Sequence, residues 1–241
     1  MILSSKSDVP GIVDKCIVND SFGLCTTNGL VKTVNEDRIG YKNQGDSLRI
    51  CIADGHWGQQ AAEVIAEQWL RVDLPQEFSE AVELAKRTER SLYESFGSLN
   101  MDESRDFTPE ASFVAVKIRG NEVDIVGYGD CRLAIIREGR AYSQLPTKAT
   151  WLGAFSYLGL RNRIPVETGL ILEHWRLVPG DQLILFTDGV DECVYEKPTI
   201  SMAELAGLAH QEKLSQSVDA VLAKIMACGA EDNASFAIFR A

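Results

Sequence analysis

The sequence of 241 residues predicts an α+β fold in which helices pack outside antiparallel sheets. Strand-like and helix-like segments come in blocks along the chain rather than in strict alternation, which is typical of this class. Three β-rich runs, residues 112–118, 122–128 and 131–137, follow one another with only Gly120-Asn121 and Gly129-Asp130 between them. Connections this short suit hairpins and cannot contain the crossover helices of a parallel sheet. We therefore expect an antiparallel meander here and exclude a Rossmann-like sheet.

The first part of the chain predicts a strand followed by two helices. Residues 48–53 place apolar side chains at alternate positions and end at Asp54-Gly55, as expected of a half-buried strand that is stopped by a turn. Residues 59–71 place apolar side chains at three- and four-residue steps, so a helix with one buried face should follow. A second helix is expected over residues 77–96.

The second half of the chain predicts an irregular stretch, two helices and two strands, and acidic residues adjoin both strands. Residues 182–187 form an apolar run that ends at Asp188-Gly189. The irregular stretch 141–163 contains glycine and proline residues that interrupt any period, and we expect it to form a surface flap. Two helices and a last strand are expected over residues 202–210, 217–228 and 234–240.

Composition is typical of one large globular domain, which we expect to span residues 1–241. The 24 Lys and Arg residues against 35 Asp and Glu residues give a formal charge of -11. This excess opposes binding to nucleic acid and suits a protein that concentrates cations, although it also serves solubility alone. No feature demands an oligomer, so we expect a monomer.

Cysteine usage and hydropathy predict a cytoplasmic protein. The six cysteines show no CxxC pairing and most lie in apolar stretches, as reduced, buried thiols do. The opening residues lack the apolar core of a signal peptide, and no run reaches the roughly 18 apolar residues that a membrane span needs. Three scattered histidines and unpaired thiols do not supply a zinc site. Oxygen ligands remain as the means of binding a metal ion.

Acidic residues lie at or beside the ends of several strand-like runs. Asp54, Asp188 and Asp232 meet strand ends, and Glu36-Asp37 lies near the first strands. Each step of this kind, taken alone, most often makes a turn. Their recurrence favours one shared site, because strand ends on a rigid scaffold can present several carboxylates together. Two divalent cations about 4 Å apart need such a set and retain bound water that becomes a nucleophile.

Five segments, in order, resemble motifs of the PP2C-type (PPM) metal-dependent protein phosphatases, over most of the chain. These segments are Gly29-Leu-Val-Lys-Thr-Val-Asn-Glu-Asp37, Ala53-Asp-Gly-His-Trp-Gly58, Val126-Gly-Tyr-Gly-Asp-Cys-Arg132, Leu185-Phe-Thr-Asp-Gly-Val190 and Glu231-Asp-Asn233. One such match is weak, whereas five in order are specific. The resemblance implies a four-layer αββα sandwich, in which two antiparallel sheets are flanked by helices and the metal ions lie in a cleft at one end of the sheets.

The resemblance also implies a ligand set for two Mg²⁺ or Mn²⁺ ions, with a third ion possible. Asp54 would bridge two ions, and the carbonyl of Gly55 would join one of them. A water between the ions would then attack phosphorus in line. The implied activity is hydrolysis of phosphoserine and phosphothreonine in proteins, opposing a Ser/Thr kinase. The other acids would hold the second ion (Asp188 and Asp232) or bind metal-ligated waters (Glu36 and Asp37).

Three further residues receive roles from the resemblance. His56 is a candidate general acid for the leaving alkoxide, with a partly exposed loop imidazole as the alternative. Lys32 occupies the place of an arginine that clamps the substrate phosphate, and keeps its charge without the bidentate fork. An ordinary surface lysine would explain it equally well. Asp130 matches an aspartate that helps to bind a third metal ion, although turns favour aspartate in any case.

Departures from the family pattern leave two other functions open. Trp57 replaces a small residue, so its indole must point out of the site or narrow the cleft, and Cys131 replaces a serine. With Lys32, these changes allow a catalytically weak or inactive regulatory or binding module. A phosphatase for a small phosphate ester is the other alternative. The complete set of core carboxylates favours the protein phosphatase.

Overall fold

The computed structural model describes residues 11–13, 15–96, 109–145, 157–159, 165–194 and 197–241. The strands in these ranges are β1 (Gly11–Val13), β2 (Ile17–Val18), β3 (Phe22–Thr27), β4 (Arg38–Gln44), β5 (Ser47–His56), β6 (Glu110–Arg119), β7 (Glu122–Tyr128), β8 (Arg132–Arg137), β9 (Arg140–Leu145), β10 (Leu158–Gly159), β11 (Ile171–Arg176), β12 (Gln182–Phe186) and β13 (Ala234–Arg240). The helices are α1 (Gln60–Arg71), α2 (Phe78–Phe96), α3 (Val166–Gly169), α4 (Met202–Ala209) and α5 (Leu214–Ala227).

The strands form two antiparallel sheets that pack face to face. The first sheet has the order β1-β4-β5-β6-β7-β11, and the short β10 pairs with the start of β6. The second sheet has the order β2-β3-β13-β12-β8-β9. Helices α1 and α2 cover the outer face of the first sheet, and α4 and α5 cover that of the second. The predicted α+β class and the four-layer αββα sandwich are confirmed.

Strand β5 is buried on both faces, although its alternating pattern predicts a half-buried strand. Leu48, Ile50 and Ile52 enter the core between the two sheets. Cys51 and Ala53 point the opposite way and pack with residues of α1 and α2. The alternation therefore separates two cores rather than core and solvent, because a helical layer covers the outer face of the sheet.

The helices bury one face each, as their spacing predicts. Helix α1 packs Ala62, Ile65, Ala66 and Trp69 against the first sheet, where the Trp69 ring lies 4.7 Å from the ring of Phe113. Apolar residues of α5 cover the second sheet in the same way: Val218, Val221 and Ile225.

The predicted meander over residues 112–137 is wrong at its second turn. Strands β6 and β7 do form a hairpin, where Gly120 has a φ of 58°. Strands β7 and β8 belong to different sheets, so Gly129 and Asp130 connect one layer with the other. A short turn that contains a glycine suits both connections, since glycine adopts positive φ without a steric penalty. Asp130 consequently lies at a passage between the sheets and not at the tip of a hairpin.

All six cysteines lie in the described residues, and the prediction of reduced thiols is wrong for two of them. Cys16 and Cys25 form a disulfide. Because β2 pairs with β3 so that Ile17 faces Leu24, these cysteines face each other, which their separation in sequence does not reveal. The other four are free: Cys51, Cys131 and Cys193, which are buried, and Cys228, which is half-buried.

The predicted flap, residues 141–163, falls largely outside the described residues. Within it, the structure describes the end of β9 and the short β10, where Leu158 pairs with Ala111 of β6. In the described part of the chain, no helix combines the length and the apolar character that a membrane span requires.

Candidate metal centre

At one end of the sandwich, the facing surfaces of the two sheets change from apolar to polar. In the middle of the sheets, the inward positions of β5, β12 and β13 carry leucine, isoleucine, alanine or phenylalanine. Since inward positions recur every second residue along a strand, the same alternation reaches Asp54 in β5, Thr187 after β12 and Ser235 in β13. His56 is the next inward position of β5. The fold therefore forms a polar cleft between the ends of the two sheets.

Asp54 lies inside β5, and not after it as predicted. The strand continues to His56, and Asp54 pairs with Ser112 of β6. The Asp54 residue is buried. A Cβ atom at Gly55 would lie 2.5 Å from the carbonyl oxygen of Glu36, so only glycine allows this close approach. The approach brings the segment before β4, with its acidic residues, to the end of β5.

Asp188 begins the 3-10 turn that follows β12. Its carboxyl group lies close to that of Asp54, which belongs to the other sheet, and each affects the pKa of the other. A Cβ atom at Gly189 would lie 1.9 Å from the carbonyl oxygen of Asn233, so this turn packs directly on the segment before β13. Two of the predicted acidic positions are thus brought into contact.

Asp37 is buried directly before β4. The hydroxyl of Thr187 donates to Asp37 Oδ2 at 2.9 Å, and Ser235 lies close enough to the same carboxyl to lower its pKa. Thr187 and Ser235 belong to the second sheet and its end, while β4 belongs to the first. Asp37 therefore connects the ends of the two sheets, and Asp54 also lies close to it.

Burial raises the pKa of each of these three carboxyl groups. For Asp54, burial and then the charges of Asp188, Asp37 and Asp130 raise the pKa well above its usual range. Burial raises the pKa of Asp37 and of Asp188 to about 7, with nearby carboxylates adding to the effect. Each carboxylate thus makes ionisation of the others more costly. A divalent cation would remove this conflict, because it stabilises the ionised form of every oxygen that it contacts.

The other side of the cluster already contains a cation. Lys32 Nζ lies 3.3 Å from Glu36 Oε2 and 3.2 Å from Asp232 Oδ1. Glu36 Oε1 accepts a hydrogen bond from the backbone N–H of Gly58 at 2.5 Å. Burial lowers the pKa of Lys32, but the charges and hydrogen bonds of Asp232 and Glu36 outweigh this effect and raise it. Lys32 is therefore engaged with two acids of the site, unlike an ordinary surface lysine.

Asp130 lies on the opposite wall of the cleft, beside His56. Tyr157 donates its hydroxyl hydrogen to Asp130 Oδ2 at 3.0 Å, and its ring centroid lies 4.0 Å from that of His56. Asp130 Oδ1 is buried and has no hydrogen-bond partner among the described residues. His56 Nδ1 lies 3.9 Å from Glu110 Oε1. The unpartnered oxygen is available to a cation, because a buried acceptor without a partner is otherwise costly.

These residues fit a hard divalent cation in chemistry, although they do not surround one point in this structure. No group of three or more His, Cys, Asp or Glu side chains in the described ranges is arranged to hold a metal ion. Instead, the carboxyl groups of Asp54 and Asp188 contact each other, and those of Glu36 and Asp232 contact Lys32. The donors are all oxygen atoms of anionic groups, which is the set that Mg²⁺ and Mn²⁺ prefer.

Sequence reasoning did not identify Asn233 and Tyr157 as parts of the site. Asn233 Oδ1 accepts from the backbone N–H of Glu36 at 2.8 Å, and its Nδ2 donates to the carbonyl oxygens of Asn28 and Val34 at 3.2 and 3.0 Å. These bonds hold the acidic loop before β4 against the segment before β13. Asn233 belongs to one of the five motifs, but the motif does not reveal partners about 200 residues away.

The structure also locates the two residues that depart from the family pattern. Trp57 is 53% exposed and has a φ of 63°, so its indole lies largely in solvent, which agrees with the first of its two expected placements. Cys131 is buried, and its Sγ lies 3.2 Å from Ser112 Oγ. Neither side chain fills the cleft.

The chain resembles bacterial phosphatases of known structure at low sequence identity. The family model of Stage II sporulation protein E matches residues 45–241. A bacterial serine phosphatase aligns with a TM-score of 0.70 and 17% identity, over 92% of this chain and 98% of its own. The serine/threonine phosphatase of S. agalactiae gives 0.67 and 20%, over 96% and 100%. The catalytic domain of the Mycobacterium tuberculosis phosphatase PstP, in complex with two manganese ions, gives 0.66 and 16%, over 91% and 96%. No curated protein matches the chain significantly.

Proposed function

This chain belongs to the Stage II sporulation protein E family, and from that premise we propose that it hydrolyses phosphoserine and phosphothreonine in proteins at a centre of two Mg²⁺ or Mn²⁺ ions. Its fold is that of the PP2C-type phosphatases, as the resemblance of its motifs implies. The reaction class is supported by the solved phosphatases that share this fold. The manganese ions of the mycobacterial enzyme support the choice of cofactor.

One observation carries the proposal: buried carboxyl groups from both sheets converge at the open end of the cleft. Asp54 and Asp188 lie close together, and burial together with the charges of neighbouring carboxylates raises the pKa of each. A protein rarely keeps such a cluster without a counter-charge, since the ionised groups repel one another in a low dielectric. Divalent cations are the counter-charge that this set of oxygen donors fits.

Different residues of the chain would have different roles in this centre. Asp54, the Gly55 carbonyl, Asp188 and Asp232 would hold the ions, with Glu36 and Asp37 contacting bound waters. The ions would supply an activated water and offset the charge of the phosphoryl oxygens. Asp130, whose Oδ1 has no partner in the described residues, would add a donor at the opposite wall.

We propose His56 as the residue that transfers a proton to the leaving group. It follows Asp54 on the inward face of β5, and its ring packs against that of Tyr157 at an angle of 50° between the ring planes. Glu110 Oε1 lies 3.9 Å from Nδ1 of the ring. A protonated imidazole at this position would donate its proton to the leaving alkoxide of the phosphorylated residue.

The test is hydrolysis of an aryl phosphate and of a phosphothreonine peptide by the purified chain. We expect turnover with Mn²⁺, loss of turnover with EDTA, and loss of at least about 10³-fold in the Asp188→Ala variant, because a ligand and its charge are removed. Asp219→Ala, an exposed position on α5, is a control with the same change in charge and should retain activity. Equal rates with Mn²⁺, with EDTA and in Asp188→Ala would refute the proposal.

The same assay separates the protein substrate from a small phosphate ester. A phosphoprotein phosphatase should hydrolyse phosphoserine and phosphothreonine peptides with a higher kcat/KM than free phosphoserine, because the peptide contacts the rim of the cleft as well as the metal centre. A preference for free phosphoserine would contradict the substrate class while leaving the metal centre intact.

A further inference from the structure

Lys32 is held in place by backbone contacts at the edge of the metal centre. It lies in the connection between β3 and β4, where Leu30 donates its backbone N–H to the carbonyl oxygen of Ala230 at 2.7 Å. Gly29 has a φ of 73°, and a Cβ atom there would lie 2.3 Å from the Ala230 oxygen and 2.4 Å from that of Asp232. The connection is therefore pressed against the segment before β13. As a result, the ammonium group reaches Glu36 and Asp232 together.

The charge of the cluster is divided unevenly around this lysine. Glu36 and Asp232 each form an ion pair with Lys32 at 3.3 and 3.2 Å. Among the described residues, neither Asp54 nor Asp188 forms an ion pair, and their carboxyl groups lie close to each other instead. One half of the centre thus has a positive charge paired with two of its acids. In the other half, the charge of Arg132 reaches Asp188, but Arg132 forms its ion pairs with Asp191 and Glu192.

We propose that the Lys32 ammonium group is a built-in cation that competes with a divalent ion for Glu36 and Asp232. This inference rests on the proposed metal centre. Lys32 contacts one oxygen of each carboxylate, Glu36 Oε2 and Asp232 Oδ1. An ion that binds through these oxygens displaces Lys32, and an ion that binds through the second oxygen of Asp232 is repelled by the positive charge of the ammonium group. The lysine side chain is 38% exposed and flexible, which leaves it free to turn towards solvent when displaced. The half that contains Asp54 and Asp188 carries no such competitor.

The expected consequence is a difference in affinity between the ions. An ion held mainly by Asp54 and Asp188 relieves their repulsion and should bind tightly. An ion that needs Asp232 should bind more weakly, because competition with Lys32 reduces its free energy of binding. Lys32 would in this way set the metal concentration at which the centre is filled.

Binding of Mn²⁺ in the absence of substrate tests this inference directly. Isothermal titration calorimetry and the electron paramagnetic resonance signal of free Mn²⁺ would give the number of ions and the Kd of each. We expect Lys32→Met to lower the Kd of the weaker ion by about tenfold or more, because the competing charge is removed. Lys32→Arg keeps the charge and should stay within about threefold of wild type.

Lys86→Met is the matched control for a general change in charge. Lys86 also forms an ion pair, with Glu167 at 2.5 Å, but it lies on α2 and contacts no acid of the cleft. Its removal should leave both Kd values unchanged. Far-UV circular dichroism of each variant establishes that it is folded before titration.

The outcomes separate this inference from the proposed function. An unchanged or higher Kd for the weaker ion in Lys32→Met would overturn the competition, and continued Mn²⁺-dependent hydrolysis by the wild type would leave the proposed function standing. A lower Kd in Lys32→Met would support the competition even if no phosphopeptide were hydrolysed. Failure of every variant to bind Mn²⁺ would overturn both.

Discussion

Two clusters of charged residues on the first sheet differ in how their charged groups are paired. On the outer face, Arg49 of β5 stands opposite Lys117 of β6. Asp73, which follows α1, joins them: its Oδ1 accepts from Arg49 Nη2 at 2.9 Å and from Lys117 Nζ at 2.6 Å. Arg49 also donates to the carbonyl oxygen of Val72 at 2.5 Å. In this outer cluster, each charged group has a partner of opposite sign.

The polar cleft, five residues further along β5, lacks this balance. Hydrogen bonding to Lys117 and the charges of Lys117 and Arg49 lower the pKa of Asp73. Burial and neighbouring carboxylates raise the pKa of Asp54. The difference indicates how the two regions are used. In the outer cluster every charged group contacts a group of opposite sign, and the cluster holds α1 to the sheet, whereas carboxylates that face one another at the cleft need a cationic ligand.

The largest expected effect is that of Asp54→Asn, which removes one charge from the unbalanced cluster. We expect kcat/KM for an aryl phosphate to fall by about 10³-fold or more, since the central carboxylate of the metal centre is lost. The metal-free protein should at the same time become more stable by about 1 kcal/mol, because a buried group that repels its neighbours becomes neutral. Steady-state kinetics with Mn²⁺ and urea unfolding with EDTA measure the two effects.

Asp188→Asn should change both quantities in the same direction as Asp54→Asn. A loss of stability in EDTA for both variants would mean that the carboxyl groups are structural, as in the outer cluster, and the contrast between the two regions would disappear.

The chemistry of the site was easier to predict from sequence than its arrangement. Alternation along β5 predicts that the strand stops before Asp54, whereas Asp54 lies inside the strand, and the strand period brings it onto the inward face. The pairing of Lys32 with Asp232 was not predicted, because contacts across 200 residues depend on how the two sheets pack. The same limit applies to Tyr157, whose contact with Asp130 follows from the position of β10.

The fold was predicted well where local patterns determine it. Helix α1 and strand β12, which precedes Asp188, begin and end close to the predicted residues. The turn at Gly129 and Asp130 was assigned wrongly, because a glycine turn specifies the reversal of the chain but not the sheet that the next strand joins. Consequently the meander prediction missed the passage that carries Asp130 to the cleft.

Metal binding should stabilise the whole chain by a smaller amount. At a Mn²⁺ concentration about 100 times the Kd, one ion that binds only the folded state adds about 2.7 kcal/mol. For a chain of this length, we expect the Tm to rise by about 5 to 10 °C in differential scanning fluorimetry. Asp54→Asn should lose most of this shift, while Asp73→Asn should keep it. An equal shift in both variants would place the ions outside the cleft.

Asp73→Asn should act on stability and leave the chemistry unchanged. The substitution leaves Lys117 and Arg49, both buried, without an opposite charge. Because Asp73 itself is 66% exposed, we expect a loss of about 1 to 2 kcal/mol rather than the larger cost of breaking a fully buried pair. Urea unfolding measures the loss, and kcat/KM should stay within about twofold of wild type. A change in kcat/KM beyond that would connect the outer cluster to the cleft.

The smallest effect is the dependence of this loss on pH. The pKa of Asp73 is lower in the folded chain than the unfolded value of about 3.9, so the unfolded state binds more protons as the pH falls through this range. The stabilising contribution of Asp73 is therefore complete above about pH 5, and it is lost as the pH falls from about 4 through the lower pKa of the folded chain. Urea unfolding of wild type and Asp73→Asn from pH 7 to about pH 2 should show two curves that stay parallel and then converge below about pH 4.

Convergence identifies charge as the source of the stabilisation, because asparagine keeps the shape of the side chain and one oxygen acceptor. Curves that remain parallel down to about pH 2 would show that asparagine costs stability through the geometry of its contacts with Lys117 and Arg49. In that case the pairing of opposite charges would not explain the stability of the outer cluster. The outer cluster could then no longer be compared with the carboxylates of the cleft as a case of paired against unpaired charge.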